Sequence, residues 1–157
     1  MKFVLIEDDD DKLRKILDFL ESEYPGVEVS VARSFASGLR AVISSQGKID
    51  LVLLDMSFPN YDVSPAEPSG GNPEHFAGRE LLAQMRLRGI DIPSIVITMF
   101  DSFGEKGSKM SLEQLKSELH QKYRPPYRDT VYYDSRQEGW RSALKESINR
   151  NTKGVLK

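Results

Sequence analysis

The run Leu51-Val52-Leu53-Leu54, which lies between Asp50 and Asp55, constrains the fold of this chain more than any other feature. A continuous apolar run of this length is typical of a parallel strand that helices cover on both faces. Two other short runs also consist mostly of apolar residues, Lys2–Ile6 near the N-terminus and Ser94–Thr98 after Pro93. The sequence therefore predicts three buried strands, each of which leads to polar residues.

Apolar residues three and four positions apart predict five amphipathic helices between and after these strands. Their apolar faces are Leu13, Ile16, Leu17 and Leu20; Phe35, Leu39, Val42 and Ile43; Leu81, Leu82 and Met85; Leu112, Leu115 and Leu119; and Trp140, Leu144 and Ile148. Asp10 and Asp11 lie where a helix N-terminus favours negative charge. Ser34 is the predicted N-cap of the second helix, and Ser111 with Gln114 has the spacing of a capping box.

The alternation of strands and helices predicts an α/β fold, a doubly wound five-stranded parallel sheet flanked by helices. Val27–Val31 alternates as an edge or half-exposed strand does, and Thr130–Tyr133 is the predicted fifth strand. Two irregular stretches are predicted to be an insertion at about residues 60–77 and an extended fourth-helix region at about residues 100–128. We expect one domain over residues 1–150, followed by a tail at residues 151–157.

The composition excludes several classes of protein. The 157 residues include no cysteine, which excludes disulfides, thiolate metal sites and a cysteine nucleophile. No apolar run approaches the roughly 20 residues that cross a bilayer. The net charge of −2 gives no bulk attraction to nucleic acid. We therefore expect a cytoplasmic protein that binds no membrane and makes no direct contact with nucleic acid.

Polar side chains stand at the carboxyl ends of three predicted strands. Glu7, Asp8 and Asp9 follow the first strand, Asp55 follows the third, and Thr98 ends the fourth. These ends meet at one edge of a parallel sheet, where converging carboxylates repel one another unless a cation lies among them. An all-oxygen site of this kind suits Mg²⁺, and a carboxylate beside Mg²⁺ can attack a phosphoryl group. The pattern predicts a magnesium-dependent phosphoacceptor at this edge.

Four segments of the sequence resemble the receiver domains of two-component response regulators. The matching segments are Val4–Asp9, Asp50–Pro59, Gly78–Leu82 and Pro93–Thr98. Receivers carry an acidic pair after the first strand, an aspartate after the third with a proline four residues later, and a hydroxyl residue on the fourth. Glu7 and Asp8, Asp55 and Pro59, and Thr98 match them. The resemblance implies a flavodoxin-like (CheY-like) fold with strand order 2-1-3-4-5.

The resemblance also implies a signalling domain rather than an enzyme. Asp55 would accept the phosphoryl group, and the hydroxyl of Thr98 would contact it. Mg²⁺ would be bound by Glu7, Asp8, Asp55 and the backbone carbonyl of Ser57. The implied partners are a histidine kinase or phosphotransfer protein and a downstream protein target. The resemblance leaves open whether the chain forms a homodimer. We expect a stand-alone receiver of a phosphorelay, because the last helix leaves no room for a DNA-binding output domain.

Two features depart from the family pattern. The insertion at residues 60–77 covers the site, docks a partner or is a surface excursion. The lysine that ends the fifth strand in receivers, and that contacts the phosphate, is missing, because Tyr132-Tyr133-Asp134-Ser135-Arg136 stands there. Asp134 or Ser135 takes its place, depending on register. Arg136 either supplies the positive charge, although a guanidinium differs in geometry from an ammonium, or lies on the surface.

Three further assignments stay open at this point. Tyr132 is the candidate for the aromatic residue that reports phosphorylation in this family, with Tyr133 as the alternative. Asp9 competes with Glu7 for the metal site. The missing lysine favours a phosphorylation-independent pseudo-receiver as the alternative function. A Mg²⁺-dependent phosphohydrolase is a remote alternative, because Ser57 stands where such enzymes need an acid.

Overall fold

Strands and helices alternate along the part of the chain that the structure, a computed structural model, describes: residues 1–45, 47–59, 61–62, 65, 76–99, 102–103 and 110–152. The strands are β1 (Lys2–Ile6), β2 (Glu28–Ala32), β3 (Leu51–Leu54), β4 (Ser94–Thr98), β5 (Ser102–Phe103), β6 (Met110–Ser111) and β7 (Tyr127–Tyr132). Five of them form one parallel sheet in the order β2-β1-β3-β4-β7. The predicted order 2-1-3-4-5 is confirmed, with β7 as the fifth strand of the sheet.

The helices are α1 (Asp10–Glu23), α2 (Phe35–Ser44), α3 (Ala77–Leu87), α4 (Leu112–Lys122) and α5 (Gly139–Asn151). Both predicted serine caps are present. The hydroxyl of Ser34 accepts the amide of Ser37, and that of Ser111 accepts the amide of Gln114, each at 3.1 Å and each within a capping box. Within the described residues, no helix combines the length and the apolar character needed to cross a membrane.

The sheet separates two apolar cores because successive side chains of a strand point to opposite faces. On β1, Val4 and Ile6 belong to a core that α2, α3 and α4 cover. Phe3 and Leu5 belong to the core on the other face, which α1 and α5 cover. All four residues of β3 are buried. The helices therefore cover both faces of the sheet, and the strand ends remain as the place where polar groups meet.

Some parts of the structure differ from the sequence prediction. Ile43 is exposed, because α2 packs over β1 and β2 near the edge of the sheet and only one side of the helix is covered. The last strand of the sheet begins at Tyr127, three residues before the predicted start. β5 and β6 form a short antiparallel hairpin that was not predicted. Much of the predicted insertion at 60–77 and part of the region at 100–128 lie outside the described residues.

Candidate functional site

The ends of three central strands bring the predicted acids and the predicted hydroxyl residue to one edge of the sheet. Ile6 at the end of β1 lies opposite Leu54 at the end of β3, and the amide of Asp55 donates to the carbonyl oxygen of Ile6 at 3.2 Å. Glu7 and Asp55 are the residues that follow these strands, and both are almost fully buried. β4 pairs with β3 and ends at Thr98, which is also buried.

A buried lysine from α1 lies between the two carboxylates. The side-chain nitrogen Nζ of Lys12 is 2.5 Å from Oε1 of Glu7 and 3.0 Å from Oδ2 of Asp55. It also donates to the carbonyl oxygen of Ile97 at 2.7 Å. The Lys12 side chain is 0% exposed. Burial of an ammonium is costly unless it is paired and hydrogen-bonded, and here its three protons have three acceptors. Lys12, Glu7 and Asp55 therefore form one buried charge network.

Lys12 was not identified from the sequence, where it stands among charged residues and resembles part of a solvated helix face. A signal was nevertheless present. Lys12 precedes Ile16 by four residues and Phe19 by seven, which places it on the same side of α1 as these two buried residues. A charged residue aligned with an apolar helix face near a predicted acidic site indicates a buried ion pair.

The acids of the site differ in their environment. Burial raises the pKa of Glu7 to about 7, the charge of Lys12 opposes this rise, and the charge of Asp55 adds to it. Asp8 is exposed, but partial burial of its carboxylate and the nearby charge of Asp55 raise its pKa as well. Extra positive charge at this edge of the sheet would therefore stabilise the ionised acids.

The remaining contacts of Asp55 and Asp9 show that the acids at this edge of the sheet have different roles. The Oδ1 atom of Asp55 accepts the backbone amide of Met56 at 2.6 Å, so that each carboxylate oxygen of Asp55 has a donor. Asp9 is the N-cap of α1, and its side chain accepts the backbone amide of Lys12 at 3.0 Å. Glu7 is thus the acid that shares the Lys12 ammonium with Asp55, whereas the side chain of Asp9 caps a helix.

No protein-family model matches the chain. Two curated proteins resemble it over nearly its whole length. The uncharacterized protein y4jR of Sinorhizobium fredii is 32% identical over 149 residues, which cover 94% of this chain and 96% of the relative. The Detocs response regulatory protein DtcB of Enterobacter cloacae is 30% identical over 148 residues, which cover 94% of this chain and 98% of the relative. The chain belongs to the response-regulator receiver family.

Solved receiver structures share the fold of this receiver. A response regulator receiver domain from Clostridium thermocellum has a TM-score of 0.65 at 20% identity, covering 99% of this chain and 98% of the other. The CheX-CheY-BeF3-Mg complex from Borrelia burgdorferi gives 0.68 at 13% identity, covering 96% and 87%. The Mn(2+)-bound form of response regulator Rcp1 gives 0.62 at 17% identity, covering 98% and 96%. At these identities the likeness concerns the fold alone.

The end of β7 in this receiver carries a buried tyrosine and no lysine. The amide of Tyr133 donates to the carbonyl oxygen of Thr98 at 2.8 Å, which fixes Tyr133 as the residue directly after the strand. Its ring centre lies 5.0 Å from that of Trp140 and 5.8 Å from Nζ of Lys12. The register therefore places Tyr133, rather than Asp134 or Ser135, beside the buried charges.

Arg136 lies on the surface, which was one of the two interpretations left open. Its side chain is 85% exposed and pairs with Asp134, with Nε 3.2 Å from Oδ1. The hydrogen bonds from Arg136 hold the pKa of Asp134 below its usual value. The positive charge at the site comes from Lys12 instead. The switch candidate Tyr132 is 45% exposed, and its alternative Tyr133 is buried.

The predicted metal ligands are partly brought together. Glu7 and Asp55 converge on one cation, the ammonium of Lys12. Asp8 is exposed and Ser57 is half-buried, two residues after Asp55. Among the described residues, no group of three or more acidic or histidine side chains surrounds a common metal position. The donors are all oxygen atoms, which suits a hard divalent cation.

Proposed function

We propose that this receiver accepts a phosphoryl group on Asp55 with the help of Mg²⁺ and passes the signal on through protein contacts. This proposal rests on the position of Asp55. Its carboxylate lies at the end of a central strand, 5% exposed, and donors hold both of its oxygens. A carboxylate that is fixed and desolvated in this way is suited to act as a nucleophile toward phosphorus.

The reaction is a transfer between oxygens. A carboxylate oxygen of Asp55 forms a bond to the phosphorus of the donor, and the bond from phosphorus to the leaving group breaks with its electron pair on that group. Thr98, buried at the end of the neighbouring strand β4, would then donate its hydroxyl proton in a hydrogen bond to a phosphoryl oxygen. The positive charge of a cation between Glu7 and Asp55 favours the ionised form of Glu7.

Bound Mg²⁺ would neutralise charge on the transferring oxygens. We propose Glu7, Asp8, Asp55 and the carbonyl oxygen of Ser57 as its protein ligands. Two structural neighbours support a divalent ion, because one is a complex with Mg and the other is a Mn(2+)-bound form. The raised pKa values of Glu7 and Asp8 agree with a site that attracts additional positive charge.

We propose a histidine kinase or a phosphotransfer protein as the phosphoryl donor, and a downstream protein as the target. The curated relative DtcB is named a response regulatory protein, and one structural neighbour is CheY in complex with CheX. A cytoplasmic location is part of this proposal, because a kinase that uses ATP would act there. Association of two receivers through α4 and β7 is a further proposal, which a sedimentation measurement with and without phosphate would test.

The test is phosphorylation by a small donor. The protein is incubated with Mg²⁺ and acetyl phosphate, and its intact mass is compared with that of an Asp55→Asn variant. We expect a gain of one phosphate that requires both Asp55 and Mg²⁺. A Thr98→Ala variant should be phosphorylated more slowly, by roughly 10²-fold if its hydroxyl stabilises the transition state, and Thr98→Ser should retain most of the rate.

One observation favours the second candidate, a pseudo-receiver that works without phosphate. The Lys12 ammonium pairs with both Glu7 and Asp55, two of the residues proposed to bind the metal ion. A wild-type protein that gains no phosphate and binds no beryllofluoride would establish this alternative.

A further inference from the structure

We propose that Lys12 supplies, from helix α1, the ammonium that contacts the phosphoryl group on Asp55. This inference rests on the proposed function, and it assigns to α1 a role that the family resemblance places at the end of the fifth strand. Residues 127–136, which contain that strand and its end, include no lysine. Lys12 is the basic residue that pairs with Asp55 among the described ion pairs.

The position of the ammonium is fixed by three acceptors on different parts of the fold. Glu7 follows β1, Asp55 follows β3, and the carbonyl oxygen of Ile97 belongs to β4. The stem of Lys12 is buried along its length. A cation held in this way requires little reorganisation when an anionic phosphoryl group arrives beside it, and such preorganised charge stabilises a transition state more than a mobile one does.

Tyr133 explains why the lysine reaches the site from the helix. Tyr133 directly follows β7, and its ring is 1% exposed and lies 5.8 Å from Nζ of Lys12. It fills the space next to the ammonium and packs against Trp140 of α5. At this site the aromatic ring of Tyr133 therefore provides an apolar surface beside the ammonium, and Lys12 of α1 provides the positive charge.

The chemistry of Lys12 is electrostatic and involves no proton transfer. As a carboxylate oxygen of Asp55 bonds to phosphorus, the carboxylate loses its negative charge and the leaving group departs with the electron pair and that charge, while the phosphoryl oxygens now attached to Asp55 remain anionic. Lys12 exchanges its contact with Oδ2 of Asp55 for a contact with a phosphoryl oxygen and keeps its contact with Glu7. Hydrogen bonds from an ammonium to a phosphoryl oxygen are of the strong, charge-assisted kind.

The test compares three variants in the acetyl phosphate assay at saturating Mg²⁺. Lys12→Met keeps a long buried stem and removes the charge. Lys15→Met is the matched control, because Lys15 lies one turn further along α1 and pairs with Asp11 at the surface. The double variant Lys12→Met with Tyr133→Lys returns an ammonium to the strand end. Circular dichroism establishes that each variant is folded, and isothermal titration gives the affinity for Mg²⁺.

We expect Lys12→Met to be phosphorylated roughly 10²-fold more slowly than the wild type, while it binds Mg²⁺ at least as tightly, because its carboxylates have lost their internal cation. A merely structural role for Lys12 would weaken both properties together. Lys15→Met should match the wild type, and the double variant should regain a large part of the lost rate. If Lys12→Met does not fold, the phosphorylation rate of the double variant tests the role of the ammonium, since this variant restores the charge.

The outcomes separate this inference from the function on which it rests. Asp55-dependent phosphorylation of the wild type with an equal rate in folded Lys12→Met overturns the role of Lys12 and leaves the phosphoacceptor intact. A folded double variant that stays as slow as Lys12→Met also counts against it. Absence of any Asp55-dependent mass gain in the wild type overturns the proposed function, and this inference with it.

Discussion

Gly78, the second residue of α3, packs directly against the backbone of Asp55. A β-carbon at Gly78 would overlap with the carbonyl oxygen of Asp55 and would lie 3.0 Å from Cα of Met56. The amide of Gly78 donates to the carbonyl oxygen of Met56 at 2.9 Å. The start of α3 therefore holds the segment after β3 from one side of the sheet, while Lys12 contacts the Asp55 side chain from α1, which covers the other side.

A methyl group at Gly78 should disturb this contact. We expect Gly78→Ala to lower the free energy of unfolding by about 1–3 kcal/mol, the usual cost of overpacking a tight site, because the obstructing atoms belong to the backbone and cannot rotate away. Urea denaturation measures the change. Gly139→Ala at the start of α5 is the control, since a β-carbon there meets no atom within 4 Å. Equal stability of both variants would contradict the close approach of α3 to Asp55.

Much of the fold could be predicted because its determinants are local. The apolar run at Leu51–Leu54 identifies a strand buried on both faces, and the spacing of Ser111 and Gln114 identifies the start of α4. The exposure of Ile43 could not be predicted, because it depends on which side of α2 the sheet and α3 cover. The hairpin of β5 and β6 consists of two-residue strands, which are too short to give a periodic signal.

The exposed acid of the predicted metal site should be required for Mg²⁺ binding. We expect Asp8→Asn to raise the dissociation constant for Mg²⁺ by at least about tenfold, since even residues that only support a metal ligand contribute this much. Isothermal titration measures the affinity. Asp10→Asn removes a neighbouring exposed carboxylate that pairs with Arg33 at the surface, and it should bind Mg²⁺ as the wild type does. Wild-type affinity in Asp8→Asn would remove Asp8 from the proposed ligands.

Tyr132 should become less accessible when the site is filled. Thr98 lies opposite Tyr132 in the register of β4 and β7, so a movement of the Thr98 side chain toward a phosphoryl oxygen changes the space open to the ring of Tyr132. With Mg²⁺ and beryllofluoride, we expect nitration of Tyr132 to fall, as mapped by peptide mass spectrometry. Tyr61 is similarly exposed and serves as the internal reference. Unchanged nitration of Tyr132 would contradict the proposal that Tyr132 is the switch residue.

The hydroxyl of Tyr133 should contribute little to stability, or oppose it. Among the described side chains, it is one of the buried polar groups without a hydrogen-bond partner, and an unsatisfied buried hydroxyl is unfavourable. We expect Tyr133→Phe to raise the free energy of unfolding by up to about 1 kcal/mol, measured by urea denaturation. Tyr132→Phe, at an exposed ring, should stay within about 0.5 kcal/mol of the wild type. A loss of stability in Tyr133→Phe would show that the hydroxyl is bonded in solution.

The site was harder to predict than the fold because it depends on contacts between distant segments. Glu7 and Asp55 could be placed together from the expected order of the strands, and the structure confirms that they meet. The partner of both acids could not be found in the same way. Lys12 lies 43 residues before Asp55 in the sequence, and its contact with the acids depends on which face of α1 packs against the sheet.

The origin of the buried ammonium in α1 has a consequence for how such domains can be recombined. The acids Glu7 and Asp8 and the base Lys12 belong to one short segment, so the first strand and helix carry both signs of charge as a unit. Transplanted into a receiver with a strand-end lysine, this unit would bring two ammonium groups into one pocket, where they repel each other. In a receiver that has lost that lysine, the same transplant would restore the balance of charge in a single exchange.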